Sequence, residues 1–154
     1  MNRLLQTPGA TALLVLLLAL PGRMMASLGG RADSVQADQI HLQASLRTVA
    51  AQGYTMHELH APTGMMVREF VSPAGVVFGL AWEGPWFPNM RQLLGSHFEE
   101  FTQALSQNGS HGRRPIEVTL PTLVVHIAGH PRHYAGQAYL PDMLPQGMKA
   151  EEIR

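Results

Sequence analysis

The chain has 154 residues, with 11 basic and 11 acidic side chains, 8 histidines and no cysteine. No cysteine means no disulfide and no lipid-modified cysteine. The sole basic cluster, Arg113-Arg114, is too small to neutralise a phosphate backbone, so a nucleic-acid partner is excluded. No large single-sign field points to an anionic membrane surface either.

The first 26 residues read as a secretory signal. Arg3 supplies a charged start, Ala10 to Leu20 form an apolar run of 11 residues, Pro21 and Gly22 break it, and Ala26 follows. A bilayer span needs about 20 apolar residues, so the run is too short for one. Cleavage is expected after Ala26, the alternative being an uncleaved N-terminal anchor; cleavage would leave 128 residues, enough for one domain with its own core. That mature chain has no integral membrane segment and carries 9 basic against 11 acidic residues. The expected location is the periplasm or the medium.

Residues 27–32, with Gly29-Gly30, read as a flexible lead-in to a single domain over 33–154. Asp33 or Ser34 can cap a helix, with Gln36 in capping-box spacing from Asp33. Val35, Leu42, Leu46 and Val49 recur at helical spacing up to Gly53, which predicts a helix over about 34–51.

APTG at 61–64 and SPAG at 72–75 are two copies of one turn. Proline pre-sets φ at the second position and glycine takes a left-handed φ at the fourth. They predict an antiparallel meander over 54–83, with strands at about 54–61, 65–72 and 76–83. In this register Glu58 lies opposite Arg68 and His57 opposite Glu69, both favourable cross-strand pairs. One face would carry Tyr54, Met56, Met66, Phe70, Phe78, Leu80 and Trp82 and pack on a helix. The other would carry the smaller Leu59, Val67, Val71, Val77, Gly79 and Ala81.

GPWFPNM at 84–90 is a turn rich in proline and aromatics. Asn89 can cap a second helix over about 90–106, with Met90, Leu94, Phe98, Phe101 and Leu105 on one stripe and Leu93 beside it. Asn108-Gly109 would stop it. A hairpin over 116–140 follows, with strands at about 116–128, broken near Pro121, and 133–140. The turn-rich tail can close with one helical turn. The expected fold is therefore α+β: an antiparallel sheet of about five strands, the meander plus the hairpin, packed against two helices.

LGG at 28–30, GYTMHE at 53–58, VREFVSPAGVVFGLAWEGPW at 67–86, RQLLGSHF at 91–98, LVV at 123–125, GH at 129–130 and AYLP at 138–141 carry a resemblance. On these residues the chain resembles an uncharacterised family of small exported proteins of Gram-negative bacteria, a domain of unknown function. The resemblance implies an exported single-domain protein. It supplies no reaction, ligand or catalytic residue, and it does not point to His126 or His133.

HIAGHPRH at 126–133 is the densest group of candidate ligands. With an even loop, His126 and His133 share a face as diagonal neighbours, about 7–8 Å apart at Cα. They could then hold zinc or copper with His130 as third ligand. An odd loop separates them, and a solvated polar face beside a turn explains the spacing without a metal. His57 and His60 fall on opposite faces of a strand and cannot share an ion.

No nucleophile stands out: there is no cysteine and no G-x-S-x-G elbow. Glu99 and Glu100 are adjacent helix positions, pointing about 100° apart, and poorly placed to flank one bond. Gly29-Gly30 lacks the lysine of a phosphate loop. Trp86 and Phe87, held between Pro85 and Pro88, can anchor a ligand or partner, or instead lid the core.

The expected role is thus a non-catalytic, cofactor-free binding or envelope-accessory protein. Its ligand would be a small molecule or an envelope protein, recognised through Trp86 and Phe87 or a strand edge. The alternative is a metal-binding protein using His126, His130 and His133, and a third reading is a hydrolase with an unrecognised site.

Overall fold

The computed structural model describes residues 27–32, 35–107 and 115–154. The signal at 1–26, the cap at Asp33 or Ser34, the stop at Asn108-Gly109 and the Arg113-Arg114 pair lie outside the described residues.

The elements in chain order are α1 (Val35–Leu42), β1 (Ser45–Ala51), β2 (Tyr54–His60), β3 (Met66–Val71), β4 (Val77–Gly84), α2 (Met90–Leu94), α3 (Phe98–Gln107), β5 (Ile116–Thr119), β6 (Val124–His130) and β7 (His133–Tyr139). A 3-10 turn at Gly95–His97 joins α2 to α3, making one helical run of 18 residues. All strands join one antiparallel sheet in the order β1-β2-β3-β4-β7-β6-β5.

Among the described residues the expectation of five strands against two helices is therefore corrected to seven strands and one long helical run. Two segments account for the difference. The helix expected over 34–51 stops at Leu42, where Gln43 takes a left-handed φ of 50°, and the rest becomes β1, paired with β2. Leu46 and Val49 looked helical because they are three apart. In a strand that spacing sends them to opposite faces. Leu46 sits opposite Leu59 and joins the core of one face, while Val49 sits opposite Met56 on the other. Both faces of this sheet bury apolar side chains, so an apolar pair at odd spacing also suits a strand.

The second difference lies at Pro121. It does not interrupt one strand; it reverses the chain. Leu120 N–H donates to the Leu123 carbonyl at 2.8 Å, and β5 folds back on β6 with Ile116 opposite Ile127.

The meander follows the turn chemistry. Ala61 N–H donates to Met65 O at 2.8 Å, Ser72 N–H to Val76 O at 2.9 Å, and Gly64 and Gly75 hold φ of 85° and 76°. Glu58 stands opposite Arg68, and His57 opposite Glu69, as the register requires. Face sorting fails in β4. Val71 opposes Val77 but Phe70 opposes Gly79, so Phe78 is an extra residue. Such a bulge inverts every side chain beyond it. Leu80 and Trp82 therefore leave the Phe70 face and join Leu59 and Val67, while Ala81 moves the other way.

The helical run covers this inner face. Asn89 caps it, its Oδ1 accepting from Gln92 N–H at 3.3 Å. Met90, Leu93, Leu94, Phe101 and Ala104 pack with Leu80, Trp82, Val125 and Ala138. Residues 27–32, the expected lead-in, are tied down: Leu28 is buried, its N–H donates to Leu93 O at 2.9 Å, and Gly29 N–H donates to Val77 O at 2.8 Å. The outer face is covered differently. Met143, Leu144, Met148 and Ile153 of the tail close over Tyr54, Phe70, Phe78 and Tyr139. Among the described residues no helix is long and apolar enough to cross a membrane.

Candidate functional site

The proline-bounded loop leaves β4 at the edge of the inner core. Trp82, on the strand, is 3% exposed, whereas Trp86 and Phe87 are 65% and 49% exposed. Alternation alone would let Trp86 follow Trp82 inward, but β4 ends at Gly84 and Pro85 turns the chain. Phe87 rests edge-on against Tyr134 at the start of β7, with ring centroids 5.7 Å apart, which seats the loop on the neighbouring hairpin. Gln92 N–H bonded to Asn89 holds its other end.

Trp86 borders a cavity of about 200 Å³ between β3, the end of α1 and the start of α2. Its lining includes Leu42, Met65, Val67, Glu69, Leu93 and Trp86. Most of that surface is hydrocarbon or indole. Glu69 is buried, 1% exposed, and it reaches the cavity because β3 alternation points it inward beside Val67. An apolar hollow with one buried carboxyl group and an aromatic rim combines area for apolar contact with a polar point for orientation. From sequence, the aromatic loop was visible; Glu69 was not, because its pairing opposite His57 accounted for it. In the fold His57 does stand opposite Glu69; its ring also bonds Thr48 Oγ1 at 3.1 Å, and burial lowers its pKa.

The histidines of the 126–133 stretch do not converge. The loop between β6 and β7 is Pro131-Arg132, two residues and thus even, so His126, His130 and His133 do share a face. However, His133 pairs with His130, and His126 pairs with Gln137. His126 thus stands four residues back along β6, about 13 Å at strand rise and not at diagonal distance. His130 and His133 stack with centroids 5.9 Å apart, and His126 Nδ1 accepts from Gln137 Nε2 at 3.4 Å. Among the described residues no three histidine or carboxylate groups are placed to hold a metal ion.

The remaining polar groups tie elements together. Glu58 accepts from Arg68 Nε at 2.8 Å and meets His60 Nε2 at 2.7 Å; Arg68 first, then His60, holds its carboxyl below the usual carboxylate range. Glu100 bonds His97 and accepts from Thr122 Oγ1 at 3.0 Å, joining α3 to the β5–β6 turn. Glu99 instead faces Arg91 at 3.5 Å, so the two adjacent glutamates diverge.

No curated protein matches the chain, and no solved structure does. A family model described as "Protein of unknown function (DUF2844)" matches residues 24–153. With nearly all of the described chain inside that match, the protein belongs to the DUF2844 family.

Proposed function

We propose that this is an exported, non-catalytic binding protein of the bacterial envelope, which takes a small apolar group into the Trp86 cavity. The group would be a small molecule or one apolar side chain of an envelope protein. Export rests on the pattern of residues 1–26, with a charged start, an 11-residue apolar run and a small residue at Ala26. Binding rests on one observation: an indole 65% exposed on a proline-bounded loop, at the rim of an apolar cavity with a buried carboxyl group. Exposed aromatics on rigid loops lose little entropy on binding and offer large contact area.

The reading is tested with the wild type and a Trp86→Ala, Phe87→Ala double variant. The variant is expected to keep its melting temperature and to lose capture of partners from envelope extract. It should also lose binding of an apolar naphthalene sulfonate dye. Equal capture and equal dye binding by both proteins would sink the proposal. A collapse of the melting temperature would make the loop a lid on the core instead.

A further inference from the structure

The two ends of the sheet differ. β5 has four residues and stands between Pro115 and Pro121, which lack the N–H that a neighbouring strand needs. β1 has seven residues, Ser45 to Ala51, with no proline, no lysine and no bulge in its pairing with β2. Among the described residues β1 has β2 as its one neighbour, and five of its seven residues are exposed. Natural sheets blunt such an edge with prolines, lysines, bulges or very short strands. The sole charge on β1 is Arg47.

We infer that β1 pairs with β1 of a second copy of this chain, joining two seven-stranded sheets into one across a two-fold axis. The occupant follows from self-complementarity. An axis perpendicular to the sheet keeps each face continuous and requires antiparallel partners of matching parity. Centring the pairing on Thr48 uses all seven residues. Thr48 then meets Thr48 of the second copy, a favourable cross-strand pair. Leu46 meets Ala50, and Ser45 meets Ala51. Arg47 meets Val49, so no like charges face each other. Centring one residue earlier would set Arg47 against Arg47. Leu46 and Val49, half-buried in one copy, would gain cover on both faces. Ile40, 78% exposed, lies on the helix that leads into this strand. The inference does not depend on the Trp86 cavity.

Sedimentation of the chain, in the form in which cells accumulate it, tests the pairing. A dimer is expected at high micromolar concentration. Val49→Glu sets a carboxylate opposite Arg47 and should tighten the dimer, whereas Val49→Lys sets like charges together and should weaken it by about tenfold. A wild type that stays monomeric overturns the inference, as does a dimer indifferent to the sign of the charge at 49. If either variant fails to fold, hydrogen exchange on the wild type decides. Protection of β1 amides that rises with protein concentration supports the pairing, and protection independent of concentration overturns it.

Discussion

The inner and outer faces of the sheet use the same seven strands but are held by different means. The inner face is largely apolar and roofed by the helical run, with Trp82 across its middle and a short polar row of Glu69, His57 and Thr48 toward β1. The outer face is divided. Its upper rows carry Phe70, Phe78 and Tyr139 under the tail. Below them a row that is polar except at the buried Ala81 crosses the sheet: Arg47, Glu58, Arg68, Ala81, Gln137, His126 and Glu117 are successive cross-strand neighbours. The contrast shows that one antiparallel sheet can bury most of one face and stabilise part of the other with paired charges. It also sets apart two tryptophans four residues apart. Trp82 is held by the packing, and Trp86 projects beyond it.

The largest effects should come from the inner face. Trp82→Ala is expected to cost about 3–5 kcal/mol in chemical denaturation, since it removes a buried indole without a substitute. Gly136→Ala should follow at about 1–3 kcal/mol. Gly136 pairs with Trp82, and a Cβ there would stand 2.4 Å from the indole edge and 2.7 Å from the His126 carbonyl. A tolerated alanine would mean that Trp82 does not lie over this glycine.

Strand β2 should respond to pH through both of its faces. Glu58 has a lowered pKa through Arg68 and His60, so its contribution is present above the ordinary carboxylate pKa. It is lost as pH falls through the folded-state value. Glu58→Gln should cost about 1–2 kcal/mol at neutral pH and flatten the acid limb of the melting curve. His57, on the inner side of β2, also titrates low in the fold because of burial. The unfolded chain therefore takes up that proton first, and stability declines already in the mildly acidic range. Melting temperatures across pH for wild type and His57→Gln should differ there and converge at neutral pH. Superimposed profiles would refute the assignment. The smallest effect on stability belongs to Trp86→Ala, within about 0.5 kcal/mol, because the side chain stands in solvent. A larger loss would erase the distinction between the two tryptophans.

Where local chemistry is strong, the sequence is legible. The two proline–glycine turns specify the hairpins and with them the pairing of Glu58 with Arg68. The Asn89 cap and the apolar stripe specify the helical run, broken only where Gly95 takes a φ of 54° against Ser27. Short apolar spacings were ambiguous. Leu46 and Val49 match a helix and also a strand with two apolar faces, and pairing with β2 decided between them. Half of the candidate site was legible: the aromatic loop was visible as a loop, but its cavity was not, because Leu42, Glu69 and Leu93 come from three separate elements.

By itself the sequence determined the absence of disulfides, the antiparallel meander and the capped helix. Each depends on residues within a few positions of one another, where φ preference and hydrogen bonding act directly. Tertiary structure decided the bulge at Phe78, the face on which Trp82 lies, the reversal at Pro121 and the distance between His126 and His133. Those depend on which strand lies alongside and on how rows of side chains align across it. A one-residue shift inverts a whole strand there, and local preferences do not set it.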